Sequence, residues 1–353
     1  MDRAVAKGRN GPQGAALGGI DHAAKGGVGM VSAIETSSLT RYYGALCAVD
    51  HLDLSVKQGE LLAFLGPNGA GKTTTIRLLT GLIRPNEGTA QVAGYDIGEN
   101  ATAVKRQVGV VPQRSNLYAE MSARQNLVFC CQLYGLPRAV WRQRSDELLA
   151  TFELSDRADT AFGALSGGMK RRLTIAAALV HRPRVLFLDE PTMGLDVRSA
   201  RHLRAMIARL RSEGVTIFLT THMIPEAEAL ADRVAIIVKG ALAVVDTPEA
   251  LRARCAQEAA IEVRFERTRE VMVTALRRAR GIRSVSRSGE ALHVAVDSVD
   301  EGLRVIQQTA DGEGARIAQV RTVVPTLEDA FVHITNLDSE VMRIGGTPGG
   351  KRR

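Results

Sequence analysis

One stretch of eight residues, Gly66-Pro67-Asn68-Gly69-Ala70-Gly71-Lys72-Thr73, constrains this chain more than any other. It has the spacing GxxxxGK[ST]. It stands between the apolar run Leu61-Leu62-Ala63-Phe64-Leu65 and a helix-forming stretch from Thr74 to Thr80. That strand–loop–helix setting is the one such a motif needs. Glycines let the backbone turn so that successive N–H groups point inward at phosphate oxygens. The N-terminus of the following helix adds partial positive charge. Lys72 is then placed to reach the outer phosphates of a nucleotide, and the Thr73 hydroxyl to ligate Mg²⁺, with Thr74 beside it.

The surrounding pattern fits the same plan. From about residue 33 to 254, short apolar runs alternate with helical periodicity, the mark of a parallel α/β sheet. Leu61–Leu65, Val185–Leu188, Thr216–Leu219 and Val234–Val238 read as buried strands. An inserted helical subdomain is expected over about 114–180. The strand at Val185–Leu188 ends in Asp189-Glu190, and ligand sites of open parallel sheets lie beyond strand C-termini. Asp189 suits a Mg²⁺ shell, and Glu190 suits polarising an attacking water.

Composition closes off other classes. A chain of 353 residues predicts about two domains, and 45% hydrophobic with 24% charged residues excludes a mainly disordered chain. The longest uncharged apolar runs fall far short of the roughly 20 residues a membrane-spanning helix needs. Four cysteines without a CxxC spacing suit neither a disulfide scaffold nor a zinc site. No secretory signal pattern opens the chain, so a reducing cytoplasm is the expected setting. The net charge of +8 is concentrated in residues 101–211, with 18 basic against 9 acidic side chains. Nucleic acid, a membrane surface or a polyphosphate would each answer such an excess.

Outside the α/β region the style changes. Residues 1–32 are rich in Gly and Ala and read as a disordered extension, as does the basic tail 337–353. Between 257 and 336 the order is strand, helix, two strands meeting across Ser288-Gly289, helix, strand, then a helix from Thr326-Leu327-Glu328-Asp329. This βαββαβ order predicts a small ferredoxin-like accessory domain that includes the last helix.

The peptide Leu165-Ser166-Gly167-Gly168-Met169-Lys170-Arg171-Arg172 decides between nucleotide hydrolases. It resembles the LSGGQ signature of the ATP-binding subunits of ABC transporters, with Met169 in place of the usual Gln. The other motifs of that family are matched in order. Arg41-Tyr42-Tyr43-Gly44 resembles the adenine-stacking loop, Val110-Val111-Pro112-Gln113 the Q-loop, Pro191 to Asp196 the D-loop, and Thr220-Thr221-His222 the switch histidine. LSGGMKRR, together with Leu327-Glu328-Asp329-Ala330-Phe331, is similar to the drug-resistance (daunorubicin-type) and nodulation-factor exporter branch.

The resemblance implies a P-loop ATPase core with a helical insertion, using ATP and Mg²⁺. It implies that Tyr43 (or its neighbour Tyr42) stacks on adenine, residues 66–74 hold the phosphates, and Gln113 touches Mg²⁺ and the attacking water. His222 would hold the γ-phosphate beside Glu190, Ser166, Gly167 and Gly168 would face the ATP of a partner in a head-to-tail homodimer, and Asp196 of the D-loop would belong to the nucleotide-binding residues. Separate integral-membrane permease subunits are implied too, with this chain peripheral at the cytoplasmic membrane face and no nucleic acid expected.

A non-transport relative acting on nucleic acid or ribosomes is the alternative. Repair relatives insert long coiled coils, whereas only 52 positions separate Gln113 from Leu165 here, with no heptad run. Translation-factor relatives carry two nucleotide domains, and this chain has one phosphate loop. The signature peptide argues against a P-loop kinase or GTPase.

Overall fold

A computed structural model describes residues 32–255, 259–266, 270–288, 290–323 and 326–335. The expected terminal extension (Ser32 apart), the basic tail and Gly289 of the expected turn lie outside the described residues.

Along the chain run β1 (Ser32–Tyr43), β2 (Leu46–Lys57), β3 (Leu61–Leu65), α1 (Lys72–Leu79), β4 (Glu87–Val92), β5 (Tyr95–Asp96), α2 (Ala101–Gln107) and β6 (Val108–Val111). Three helices fill the stretch expected to be helical: α3 (Ala123–Leu133), α4 (Trp141–Thr151) and α5 (Gly167–Ala178). Then come β7 (Val185–Asp189), α6 (Val197–Ser212), β8 (Thr216–Thr221), α7 (Ile224–Leu230), β9 (Arg233–Val238), β10 (Ala241–Asp246) and α8 (Pro248–Cys255). The last part holds β11 (Ala259–Phe265), α9 (Glu270–Arg278), β12 (Ile282–Ser288), β13 (Ala291–Val296), α10 (Val299–Gly312), β14 (Ile317–Val323) and α11 (Leu327–Thr335). The described residues form two compact units, one of 32–39, 53–60 and 76–219, the other of 40–52, 61–75 and those from 220 to 335.

In the first unit β6 pairs in parallel with β7, from Val108 opposite Val185 to Val111 opposite Leu188. Every residue of β7 is buried, as a strand covered on both faces must be. Phe187 and Phe218, with centroids 5.5 Å apart, tie β7 to β8. The helical insertion starts firmly at α3, where Ser122 and Gln125 cap each other reciprocally. Cys131 is fully buried there, and burial pushes the Cys130 thiol up to about 11, so this pair packs rather than reacts. Trp141 donates its indole N–H to the Leu136 carbonyl at 2.7 Å, closing the α3–α4 connection.

In the second unit β3 pairs in parallel with β9, and β9 turns back antiparallel into β10. The C-terminal strands form a separate antiparallel sheet in the order β12-β13-β11-β14. That order, with α9 and α10 as its helices, is the ferredoxin-like split βαβ arrangement. Its core is Ile261, Val263, Phe265, Met272, Leu276, Val294, Val296 and Ile306.

One expected boundary needs correction. The last helix, α11, was expected within the accessory domain 257–336. Instead Leu327, Ala330 and Phe331 pack with Ala63 and Leu65 of β3, Val234 and Ile236 of β9, Ile224 and Ala227 of α7, and Leu251 of α8. The amphipathic pattern of α11 indicates that it buries one face, but not which core receives it. Its start is as expected: Thr326 and Asp329 cap each other, with Asp329 N–H to Thr326 Oγ1 at 3.2 Å and Thr326 N–H to Asp329 Oδ2 at 2.8 Å.

Phe331 is completely buried, so Phe331→Ala should cost about 3–5 kcal/mol of unfolding free energy, the usual penalty for emptying an aromatic core site. Denaturant unfolding checks this. Truncation before residue 327 should be at least as damaging, because it uncovers β3, which carries the phosphate loop.

Candidate nucleotide site

In the second unit, the loop after β3 is anchored at both ends. Gly66 N–H donates to the Thr221 carbonyl at 3.2 Å, setting the base of the loop on the end of β8, one residue before His222. Gly240 N–H donates to the Ala70 carbonyl at 3.0 Å, and Thr75 N–H to Gly71 at 2.9 Å starts α1. Gly71 has φ +105°, and a Cβ there would lie 2.3 Å from the Ala48 carbonyl oxygen, so only glycine fits.

Lys72 is buried, and its Nζ donates to the carbonyls of Gly66 at 2.8 Å and Pro67 at 3.0 Å, which puts an ammonium at the centre of the loop. Pro67 and Thr74 are half-buried, whereas Asn68, Gly69 and Thr73 stand at the surface. A glycine-forced loop, a helix N-terminus and a central lysine make a cradle that fits a polyphosphate. His222 is half-buried between β8 and α7. At the end of β1, Tyr43 is 42% exposed with the Arg41 guanidinium 5.0 Å from its ring centroid, while Tyr42 is half-buried. Tyr43 is therefore the more available ring for stacking.

The first unit carries the other expected residues. Asp189 ends β7 and Glu190 follows it, with 5% and 7% exposure, and Glu190 has φ +47°. The Gln113 side-chain amide contacts the Met193 sulfur, joining the Q-loop to the D-loop. Ser166 is the N-cap of α5, its Oγ accepting from Met169 N–H at 3.3 Å, as its sequence position predicts. Gly167 and Gly168 form the first turn, and a Cβ on Gly168 would come within 2.7 Å of Ser199 Oγ, so this glycine admits α6 beside α5. Asp196 caps α6, accepting Ser199 N–H at 2.9 Å and Ser199 Oγ–H at 2.7 Å. Those hydrogen bonds hold its carboxyl below the usual range.

Among the described residues, no three His, Cys, Asp or Glu side chains converge on one point. The available oxygen donors suit Mg²⁺, which takes one or two carboxylates and fills its shell with phosphate and water.

One residue escaped the sequence reading. Arg171 is buried in α5 and donates to the carbonyls of Asp189 (2.8 Å), Pro191 (2.8 Å) and Pro112 (2.5 Å). The signal was present. Arg171, Thr174, Ile175 and Ala178 share the helical spacing of one buried face, and a charge on such a face requires partners.

Residues 49–193 match the ABC transporter family. Daunorubicin resistance ATP-binding protein DrrA2 of Streptomyces coeruleorubidus is 36% identical over 87% of this chain and 96% of its own length. The Nod factor export ATP-binding protein I of Ralstonia nicotianae is 45% identical over 61% of this chain and 67% of its own. A dimeric ATP-binding cassette in a post-hydrolysis state, bound to ADP and Pi, superposes with a TM-score of 0.55 at 25% identity, covering 61% of this chain and 98% of that one. Both branches expected from the sequence are among these relatives. A phosphate loop shaped as the motif requires, a signature helix capped by Ser166, and likeness along nearly the whole length of a resistance ATPase lead to one assignment: the chain belongs to the ABC transporter family, as one of its ATP-binding, ATP-hydrolysing proteins.

Proposed function

We propose that this chain is the ATP-hydrolysing subunit of an exporter whose membrane-spanning part is a separate permease, and that it works as a head-to-tail homodimer at the cytoplasmic membrane face. The observation that carries export is the end-to-end likeness to a daunorubicin resistance ATP-binding protein. No helix among the described residues is long and apolar enough to cross a membrane, in keeping with a separate permease. The load is a drug-like or lipid-linked molecule, by the branch of its relatives.

Each residue has a chemical task in this reading. The loop from Gly66 to Thr74 binds the phosphates through backbone N–H groups, and Lys72 neutralises the outer two. Tyr43 stacks on adenine. Thr73, Gln113 and Asp189 would hold Mg²⁺, which would supply charge neutralisation at the phosphates. Glu190 orients and polarises the attacking water, and His222 hydrogen-bonds the γ-phosphate. Ser166, Gly167 and Gly168 offer hydroxyl and helix N-terminal N–H groups to the partner's nucleotide, and Asp196 keeps the adjoining loop in register by capping α6. Met169 does not weaken this reading, because its backbone N–H, not its side chain, takes part in the cap.

A mixed-dimer experiment tests the shared site. Lys72→Ala and Ser166→Arg chains should each be inactive alone. A mixed dimer has one composite site carrying both lesions and one carrying neither, so up to about half the wild-type hydrolysis per dimer should return. ATP-dependent dimerisation of the mixed pair, read by size-exclusion chromatography, should return with it. Hydrolysis by wild-type protein as a monomer, with no recovery on mixing, would defeat the head-to-tail reading.

A further inference from the structure

We infer that Arg171 is a positioning residue that holds Glu190 in the backbone conformation from which it acts, an inference resting on the role proposed above for Glu190. Glu190 has φ +47°, in the left-handed region that side chains other than glycine seldom adopt. It also precedes Pro191, and a residue before proline is driven toward extended backbone instead. Such a conformation persists only where its surroundings enforce it.

The enforcing contacts are on α5. The Arg171 Nη2 donates to the Asp189 carbonyl at 2.8 Å, in the peptide entering Glu190, and Nε donates to the Pro191 carbonyl at 2.8 Å, just beyond it. The intervening Glu190 carbonyl accepts Met193 N–H at 3.2 Å, so three successive carbonyls are held. On its other edge the guanidinium reaches the Pro112 carbonyl at 2.5 Å and that of Gln113 at 3.5 Å. One rigid planar fork therefore braces the backbone on both sides of Glu190 against the segment at Pro112 and Gln113. Arg171 is only 8% exposed, and a lysine ammonium, a single point of charge, could not span these acceptors.

The test uses the full-length chain with Arg171→Lys and Arg171→Met, each alone and in a Glu190→Gln background. With Glu190 intact, kcat should fall 10- to 100-fold in both, with KM for ATP within about threefold, because misplacement by about 1 Å costs rates of this order without removing phosphate contacts. In the Glu190→Gln background, single-turnover hydrolysis should drop no more than twofold further, since the group Arg171 serves is already gone. Equal losses in both backgrounds would overturn the inference, as would ATP affinity falling in parallel with kcat or an unchanged kcat. Failure of both variants to bind ATP would assign Arg171 a purely structural role and overturn it too. Full turnover by Glu190→Gln alone would instead overturn the reading of Glu190, whatever the Arg171 variants do.

Discussion

Glu190→Gln should lower ATP turnover by about 10²–10⁴-fold, the range that a positioned general base contributes, while ATP still binds. The substitution keeps volume and hydrogen-bonding capacity but removes the charge that polarises water. Glu190 directly follows a fully buried strand and is 7% exposed, so in the proposed role its carboxylate meets little competing solvent. The proposed phosphate contacts belong to other residues, so affinity for ATP should stay within a few-fold of wild type. A nucleotide-loaded dimer should accumulate, visible as an ATP-dependent shift in size-exclusion chromatography. Steady-state hydrolysis at the wild-type rate would remove Glu190 from its assigned role.

Lys72→Ala should fail one step earlier. The Lys72 ammonium sits against the Gly66 and Pro67 carbonyls at the centre of the loop, and in the proposed reading it is the charge-assisted donor to the β- and γ-phosphates. Hydrogen bonds to charged groups are worth about 1.5–3 kcal/mol each, so losing one or two should weaken ATP binding by about tenfold to about ten-thousandfold. Titration with a fluorescent ATP analogue reads this directly. Normal affinity would mean that the loop does not hold the nucleotide's outer phosphates. Together the two variants test whether binding and turnover separate as proposed, with the lysine assigned to the ground state and the glutamate to the reacting water.

Much of this site is legible in the chain because its chemistry is local. The phosphate loop needs glycines, a lysine and a hydroxyl within eight positions, between a strand and a helix, and Gly71 shows why. Its φ of +105° and its approach to the Ala48 carbonyl exclude any side chain, so the residue type itself reports the geometry. The caps are local too: Ser166 and Asp196 each satisfy an N–H three residues on, a partnership visible in the spacing. Buried parallel strands are equally plain, since burial on both faces demands the unbroken apolar runs of β3 and β7.

Contacts between distant segments are another matter. Periodicity shows that α11 buries one face, but the choice between the ferredoxin-like core and the core under β3 depends on where the chain returns in space, and there the expected boundary failed. The same holds for Arg171. Its spacing marks it as a buried charge, yet its acceptors are backbone carbonyls about 20 and 60 positions away, and a carbonyl has no residue type to read. The strain at Glu190 is likewise invisible, because a positive φ at a glutamate is imposed from outside the residue. Local sequence thus determined the strands, the phosphate loop and the helix caps of this protein, where a residue's own geometry and near neighbours settle the free energy. Tertiary structure alone decided which core receives the last helix and which side chain holds Glu190, because those outcomes turn on packing and hydrogen bonds between segments far apart in the chain.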